Sequence, residues 1–268
     1  MKVQFHKFQG NGNDFIIFDN RNNINKLSTS QIQKICDRRF GIGADGLILL
    51  NLSKEYDFEM VYYNSDGKIS SMCGNGGRCI AAYSYMIGIV NKEITFTAHD
   101  GLHKAIIENE IVTGVEWDIS LRLSDVSEIE KNEGYYFLNT GSPHYVEFVN
   151  KVAEIDVVSE GRKTRESERF APEGTNVNFV EKNEKRIFVR TYERGVEDET
   201  LSCGTGVTAS AIAMFMESGI KDIPIHTTGG DFKVNFSHSI DGNKYKFTNI
   251  WLSGPAKLVF EGEINIKF

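Results

Sequence analysis

The apolar and polar positions of this chain follow one sequence of elements that occurs twice. In each copy a strand-like segment ends in a polar turn, a glycine-flanked cysteine follows, and an apolar helix comes next. The two cysteines are Cys73 and Cys203. The matching segments before them are residues 58–64 with 187–193 and, further upstream, residues 12–18 with 141–148. Because three landmarks share one offset, we interpret the chain as two homologous halves.

The helix after each cysteine is apolar around most of its circumference, which is typical of a helix buried on all sides. Each ends near a glycine, Gly88 or Gly219, that suits a left-handed cap. A further helix begins near Thr29, where Ser28 and Gln31 form a capping-box pattern. Strands are predicted at the β-branched or alternating residues 94–97, 104–107, 232–236 and 257–260. The prediction is an α+β fold with two pseudo-symmetric domains, each a curved mixed sheet or barrel wrapped around a central helix.

The length of 268 residues is sufficient for two domains of ordinary size. We place the first domain at residues 1–118 together with 255–268, because the last strand is expected to return to the first half. The second domain then comprises residues 119–254. Each domain carries one glycine-flanked cysteine, Cys73 in the first and Cys203 in the second.

Charge and composition exclude several classes of protein. The net charge is −7 and basic residues do not cluster, which argues against a nucleic-acid partner. No apolar run reaches the roughly 18 residues of a membrane-spanning helix, and the N-terminus lacks the apolar core of a signal peptide. We therefore expect a cytoplasmic protein that binds no membrane. Four cysteines are too few for a disulfide scaffold, so free thiols are expected.

Most motifs that suggest a cofactor or a metal have a simpler interpretation. The GxGxxG pattern of residues 41–46 follows a helical stretch and precedes a strand, which reverses the order of a dinucleotide site. His99 and His103 flank an Asp-Gly turn and are interpreted as surface residues rather than zinc ligands. We predict no metal site, and we interpret Cys36 and Cys79 as small core residues.

The two glycine-flanked cysteines lie where a thiol becomes reactive. At the start of a helix, the helix dipole and the N–H groups of a glycine-rich turn lower the pKa of a thiol. The same donors hold a carboxylate. A single copy is more simply a tight strand-to-helix connection with a packed thiol, but the duplication favours chemistry. Inverting a carbon stereocentre needs a base on one face and an acid on the other, which a thiolate and a thiol supply.

Motifs along nearly the whole chain resemble those of the diaminopimelate epimerase family. They are residues 12–15, 41–46, 64–67, 72–78, 174–179, 192–195, 202–206 and 254–256. The resemblance implies an isomerase that epimerises LL-2,6-diaminopimelate to meso-diaminopimelate in lysine and peptidoglycan-precursor biosynthesis. It implies that the enzyme uses neither pyridoxal phosphate nor any other cofactor. It also implies a homodimer, with Phe260 near the interface.

The resemblance assigns roles to individual residues. It implies that Cys73 and Cys203 are the acid–base pair, and that His144 and Glu193 tune the pKa values of the two thiols. The implied substrate-binding residues are Asn13, Asn64, Gly74, Asn75, Asn176, Glu193, Arg194, Gly204 and Thr205. Of these, Gly74-Asn75 and Gly204-Thr205 bind the reacting carboxylate. From the residues alone, the first two asparagines can also be turn residues, and Glu193-Arg194 a solvated pair at a strand end.

Two positions depart from the pattern of the family. Gly46 stands where some members carry a substrate-contacting glutamine, so that contact has no counterpart here. Ser142 stands where many members have asparagine. The serine hydroxyl can still donate or accept a hydrogen bond, but it has a shorter reach than an asparagine amide.

Two other functions fit some of the same features. A proline or hydroxyproline racemase-like enzyme also uses two cysteines on a duplicated fold, but Glu193, Arg194 and the asparagines suit a longer substrate with a second amino-acid head. The other alternative is a non-catalytic ligand-binding protein in which Cys73 and Cys203 form a redox-regulated disulfide. Exchange of the α-hydrogen of LL-diaminopimelate, but not of proline, for deuterium would separate the three.

Overall fold

The computed structural model describes residues 2–22, 27–183, 185–242 and 244–266. The chain forms two compact units. The first comprises Met1–Leu121 and Gly254–Phe268, and the second comprises Arg122–Ser253. Within the described ranges, none of the helices has both the length and the apolar character that crossing a bilayer requires.

In the first unit, the described residues form a closed barrel. Its strands are β1 (Lys2–Gly10), β2 (Asn13–Asp19), β3 (Gly46–Asn51), β4 (Phe58–Asn64), β5 (Glu93–Ala98), β6 (Gly101–Val112), β7 (Glu116–Arg122) and, from Gly254 onward, the last strand of the chain, β16 (Lys244–Asn265). The strands follow one another in that order, and β16 also pairs with β1. The sheet is mixed, because β2–β3 and β4–β5 are parallel pairs. Closure leaves this sheet without a free edge.

Two helices cover the two faces of this barrel wall. They are α1 (Thr29–Cys36) and α2 (Gly74–Met86). Strands β2 and β3 are continuous apolar runs because both of their faces are covered. One face meets Gly76 of α2, where an added Cβ would touch Phe15, Ile48 and Met60. The side chains of the other face form a cluster with α1: Ile16, Phe18, Leu47 and Leu49 with Ile32 and Ile35.

The sequence signals for these helices are confirmed. Ser28 is the N-cap of α1 and forms the predicted capping box with Gln31. Helix α2 is buried from Asn75 to Ser84, which agrees with its apolar circumference. Gly88, just after α2, has a positive φ of 73°. This left-handed conformation favours glycine and ends the helix.

The second unit repeats the arrangement with one additional short strand. Its strands are β8 (Ile129–Lys131), β9 (Tyr135–Asn139), β10 (Pro143–Phe148), β11 (Asn176–Lys182), β12 (Ile187–Glu193), β13 (Asp198–Thr200), β14 (Ile225–Thr227), β15 (Gly230–Asp241) and the part of β16 before Gly254. The order is β8-β9-β10-β11-β12-β14-β15-β16, with β13 beside β12. An isolated bridge between Val126 and Phe247 links the segment before β8 to β16.

The pairing directions match strand by strand between the two units. Strands β10–β11 and β12–β14 are parallel, as are β2–β3 and β4–β5, and the intervening pairs are antiparallel in both units. Helix α3 (Val157–Arg165) connects β10 to β11 as α1 connects β2 to β3. Helix α4 (Gly204–Ser218) is buried from Gly206 to Met214 and ends at Gly219, which is left-handed. The predicted α+β fold of two pseudo-symmetric domains, each wrapped around a central helix, is confirmed.

Candidate active site

Each of the two predicted catalytic cysteines is the N-cap of the buried helix of its unit. Cys73 caps α2 and Cys203 caps α4, both with an extended backbone. The carbonyl of each accepts the first bond of its helix, from Gly77 N at 2.7 Å and from Val207 N at 2.8 Å. The N–H groups of a helix's first turn have no partner four residues earlier, so they are available to an anion. Neither of these two cysteines forms a disulfide.

The Cys73 half of the site is anchored through Asn13, the first residue of β2. Cys73 Sγ donates to Asn13 Oδ1 at 3.4 Å. The amide group of Asn13 donates in turn to Asp45 Oδ2 at 2.6 Å. Asp45 is therefore the group that orients the side chain in contact with the thiol.

A network of charged side chains holds Asp45 and Asp14 in place. Arg38 donates to both Asp14 oxygens at 2.9 and 2.7 Å and to Asp45 Oδ1 at 2.7 Å. Lys7, which is buried, forms an ion pair with Asp14 at 2.8 Å. Burial alone would raise the pKa of Asp14, but the hydrogen bonds from Arg38 and Lys7 outweigh it and hold the pKa well below its ordinary value. The carboxylate therefore stays ionised at neutral pH.

Asn64 lies at the same end of the barrel as Asn13. It ends β4 and is paired with Gly46, which begins β3, and Gly46 is paired with Phe15 of β2. The side chain of Asn64 is exposed. The register thus brings Asn13, Asn64 and Cys73 to one edge of the first unit.

Arg78, in the first turns of α2, is a buried cation that sequence reasoning left without a role. It donates to Asn11 Oδ1 at 2.6 Å and Asn75 Oδ1 at 2.8 Å, and to the Gly74 carbonyl at 3.4 Å. Burial lowers the pKa of this guanidinium to about 10, and the sulfur groups of Cys79 and Cys73 oppose that shift. It remains charged at neutral pH and fixes the two residues, Gly74 and Asn75, that were predicted to bind a carboxylate.

In the Cys203 half of the site, two uncharged side chains, Thr205 and His144, follow one another from the thiol. Cys203 Sγ lies 3.4 Å from Thr205 Oγ1, and Thr205 Oγ1 lies 2.9 Å from His144 Nε2. Burial, followed by the charge of Arg194, lowers the pKa of His144 to about 3. The imidazole is therefore neutral at physiological pH. The structure thus brings together the predicted residues His144, Thr205 and Cys203.

The predicted substrate-binding residues of the second unit form a group at the ends of β10, β11 and β12. Asn176 donates to Ser142 Oγ at 2.8 Å and to the Pro143 carbonyl, and its own oxygen accepts from the Arg194 backbone N–H at 2.9 Å. Arg194 Nη2 lies 3.4 Å from Ser142 Oγ. Glu193 accepts from the hydroxyl of Thr200 at 2.9 Å. These polar side chains lie at the edge that matches the Asn13 and Asn64 edge of the first unit.

The other two cysteines are core residues, as predicted. Cys36 and Cys79 are buried. Burial raises the pKa of Cys36 to about 12 and also raises that of Cys79. Both remain thiols at neutral pH and are therefore poor nucleophiles. In the described part of the chain, no group of three or more His, Cys, Asp and Glu side chains could hold a metal ion.

Comparisons with known proteins agree with this geometry. The family model described as diaminopimelate epimerase matches residues 5–117 and 136–258. A diaminopimelate epimerase of Flavobacterium psychrophilum is 51% identical over 267 residues, which cover 98% of this chain and 100% of the relative. One of Aquifex aeolicus is 37% identical over 280 residues and covers 98% of each chain. This chain belongs to the diaminopimelate epimerase family.

Solved structures with little sequence similarity share the fold. A PhzF-family phenazine biosynthesis protein of Bacillus anthracis has a TM-score of 0.75 at 15% identity, covering 99% of this chain and 100% of the other. A hydroxyproline epimerase of Agrobacterium vitis has a TM-score of 0.66 at 14% identity, covering 98% of this chain and 92% of the other. At these identities the likeness concerns the fold alone.

The two departures from the pattern of the diaminopimelate epimerase family have structural explanations. A Cβ at Gly46 would overlap the ring of Tyr62 and approach the Tyr63 carbonyl, so Tyr62 occupies the space that a larger residue would need. The Ser142 hydroxyl accepts from Asn176 and Arg194. It therefore positions two of the predicted substrate-binding residues.

Proposed function

We propose that this member of the family interconverts LL-2,6-diaminopimelate and meso-2,6-diaminopimelate by a two-base mechanism without a cofactor. One of the two cysteines, as a thiolate, removes the α-proton from one face of the carbon. The other, as a thiol, donates a proton to the opposite face. The protonation states of the two cysteines are exchanged after each turnover, so the reverse reaction uses the same groups in opposite roles.

The duplication of the cysteine cap is the observation that carries the proposal. Cys73 and Cys203 hold the same position at the start of a buried helix in two units of the same topology. A reaction that needs one proton carrier for each face of a carbon matches a fold that carries one thiol in each half. The family match over both halves supports the same conclusion.

The carboxylate next to the reacting carbon would bind at the helix N-termini. Removing an α-proton places negative charge on this carboxylate, and fixed N–H donors stabilise that charge. The first-turn residues Gly74-Asn75 and Gly204-Thr205 supply such donors in their respective units. We assign the distal amino-acid group of the substrate to Asn13, Asn64, Asn176, Glu193 and Arg194.

Isotope exchange tests this proposal. The purified protein, freed of metal and pyridoxal phosphate and kept reduced, is incubated with LL-diaminopimelate in deuterated water. We expect deuterium at one α-carbon and formation of the meso isomer, measured by mass spectrometry and chiral chromatography. Proline and hydroxyproline serve as controls and should not exchange. Exchange of proline with none of diaminopimelate would replace the proposal with a racemase of cyclic substrates.

We also propose that two copies of this chain form a homodimer through the surface around Phe260. This side chain is 46% exposed, and its ring packs edge-on against Phe5 of the neighbouring strand, with centroids 5.8 Å apart. Sedimentation equilibrium should give twice the monomer mass, and Phe260→Lys should shift the protein towards monomer. A monomer at all concentrations would contradict this proposal without affecting the isotope exchange.

A further inference from the structure

In the second unit, a row of polar side chains runs from Cys203 through Thr205 and His144 to Asn178, which has no assigned role. Asn178, on β11, contacts His144 Nδ1 through its amide nitrogen at 3.1 Å. We propose that Asn178 is a positioning residue that fixes His144 as the Nε2-protonated tautomer, so that the Thr205 hydroxyl donates its hydrogen bond to Cys203 Sγ. The link to catalysis rests on the proposed function, whereas the hydrogen-bond order is a property of this unit alone.

The contact with the Tyr145 carbonyl fixes the orientation of the Asn178 amide group. Its nitrogen donates to the Tyr145 carbonyl at 2.9 Å, and a carbonyl oxygen can only accept. Its oxygen accepts from the Thr191 hydroxyl at 3.0 Å. Because Asn178 is fully buried, no water competes for these bonds. The amide therefore presents an N–H group, and not its oxygen, to the imidazole.

This orientation determines the tautomer of His144. A ring nitrogen that faces an N–H donor must accept, so Nδ1 carries no proton. In the neutral imidazole the proton then lies on Nε2. Burial and the charge of Arg194 keep the ring neutral, which excludes the doubly protonated form that would clash with Asn178. His144 is therefore a hydrogen-bond donor through Nε2.

The same direction of hydrogen bonding, donor to acceptor, continues from His144 through Thr205 to the Cys203 sulfur. His144 Nε2–H donates to Thr205 Oγ1 at 2.9 Å, and the backbone carbonyl of Thr205 is held by the Thr140 hydroxyl at 2.8 Å. The hydroxyl proton of Thr205 is then free to point to Cys203 Sγ at 3.4 Å. A donor to sulfur stabilises the thiolate more than the thiol and so lowers the pKa of the thiol. His144 would thus act on Cys203 by hydrogen bonding and not by positive charge.

Gly206 makes this arrangement possible. A Cβ at that position would overlap the oxygen of Asn178 and approach His144 Cε1. Glycine in the first turn of α4 therefore allows β10 and β11 to bring the imidazole and the amide against the helix. The close approach of Asn178 and His144 to the helix therefore explains why the second glycine of the Cys203-Gly204-Thr205-Gly206 motif is needed. Any role of this glycine in carboxylate binding is additional.

The tautomer can be observed directly by nuclear magnetic resonance. In protein with ¹⁵N-labelled histidine, the His144 ring is assigned by comparison with His144→Gln. Long-range ¹⁵N–¹H correlation at neutral pH should show a protonated Nε2 and an unprotonated Nδ1. A proton on Nδ1, or on both nitrogens, would overturn the proposal. No substrate is needed, so a protein without epimerase activity would still give a decisive result.

The effect on Cys203 is measured in a Cys73→Ala background, where Cys36 and Cys79 are buried thiols. The pH dependence of alkylation by iodoacetamide then reports the thiol pKa of Cys203. Thr205→Val should raise that pKa by about one to two units, as expected for the loss of a hydrogen bond to a charged group. Thr205→Ser should restore it. Thr208→Val, which removes a buried hydroxyl from the same helix that bonds the Gly204 carbonyl, is the matched control and should leave it unchanged.

Combining variants distinguishes an effect of residue 178 on the Cys203 pKa that passes through Thr205 from a direct electrostatic effect of residue 178 on Cys203. In Asn178→Asp, the new carboxylate accepts from Nδ1–H, and the Thr205 hydroxyl turns towards Nε2 and away from the sulfur. The pKa of Cys203 should rise by about as much as in Thr205→Val, because the same hydrogen bond of about one to two pKa units is lost. In the double variant the rise should be no larger than in Thr205→Val alone. Additive shifts would overturn the proposal, because they would show that position 178 acts independently of Thr205.

Discussion

At equivalent places in the two central helices, the first unit has a buried arginine, Arg78, and the second has a buried threonine, Thr208. Around Cys73 the polar network is ionic and includes Arg38, Lys7 and two aspartates. Around Cys203 it includes an uncharged imidazole, an amide and hydroxyl groups, and Arg194 is the cation whose charge acts on the imidazole. The shared topology thus constrains where a thiol lies and which backbone donors it faces, while the side chains around it have diverged.

The difference suits a reaction that needs unequal thiols. In a two-base mechanism one cysteine is ionised while the other is protonated. A nearby cation such as Arg78 stabilises a thiolate through Coulombic attraction, which acts over a longer range than a hydrogen bond. A neutral donor such as the Thr205 hydroxyl stabilises it less. We therefore expect Arg78 to favour ionisation of Cys73, which is a thiol that donates to Asn13 Oδ1 in the substrate-free protein.

The largest expected effect is the loss of either thiol. Cys73→Ala and Cys203→Ala should each lower the epimerisation rate by about 10²-fold or more, because one face of the carbon then lacks its proton carrier. Chiral chromatography of diaminopimelate measures this. If one variant still exchanges the α-hydrogen of only one stereoisomer for deuterium, the remaining cysteine is the proton carrier for that stereoisomer. Near-normal epimerisation by either variant would show that the two halves do not each supply one proton carrier.

Replacing the buried cation tests whether the first half depends on charge. Arg78→Met removes the buried guanidinium that donates to the oxygens of Asn11 and Asn75, which should lower the free energy of unfolding by about 2–4 kcal/mol. Urea denaturation measures this. Thr208→Val, the equivalent change in the second half, should cost about 1 kcal/mol.

The same pair of variants tests the reactivity of the thiols. Alkylation of Cys73 at neutral pH should slow in Arg78→Met, and Arg78→Lys should recover part of the rate because it retains the charge. Thr208→Val should leave the alkylation of Cys203 unchanged. Equal alkylation rates for Cys73 in wild type and Arg78→Met would contradict an ionic role for Arg78.

Acid should affect the two halves in different pH ranges. The folded state holds His144 neutral to about pH 3, whereas the unfolded state binds this proton near pH 6.5. Stability therefore falls as the pH drops from about 6.5, by up to about 1.4 kcal/mol per pH unit from this group. The pKa of Asp14 is lowered from 3.8, so its contribution is lost below about pH 4.

Unfolding experiments at pH 7 and pH 5 separate the two ranges. His144→Gln should lose less stability over this interval than the wild type does. Asp14→Asn should lose as much as the wild type, because the carboxylate remains ionised in both the folded and the unfolded state above pH 5. A His144→Gln protein with the wild-type pH dependence would show that this imidazole is not held neutral by the fold.

The sequence predicted the features that repeat and missed some of those that do not. The duplicated landmarks identified both helix caps, because a cysteine before a glycine-rich turn and an apolar run is a local pattern. Arg78 and Asn178 received no role, although both lie in motifs quoted for the resemblance. Their contacts depend on burial and on partners distant in the chain, such as Asn11 for Arg78 and His144 for Asn178. The position of Ser142 beside Asn176 likewise follows from the pairing of β10 with β11.

The smallest expected effect distinguishes the catalytic cysteines from the core ones. Cys79→Ala removes a fully buried sulfur atom from α2, which should lower the free energy of unfolding by about 1 kcal/mol through the small cavity that remains. Epimerisation should stay at the wild-type rate, because burial raises the pKa of this thiol and keeps it protonated, and because Cys79 lies within α2 and not at its N-terminus. Cys36→Ala should behave alike. Urea denaturation measures the stability and the epimerase assay measures the turnover. A loss of turnover greater than the loss of folded protein would show that Cys79 takes part in catalysis.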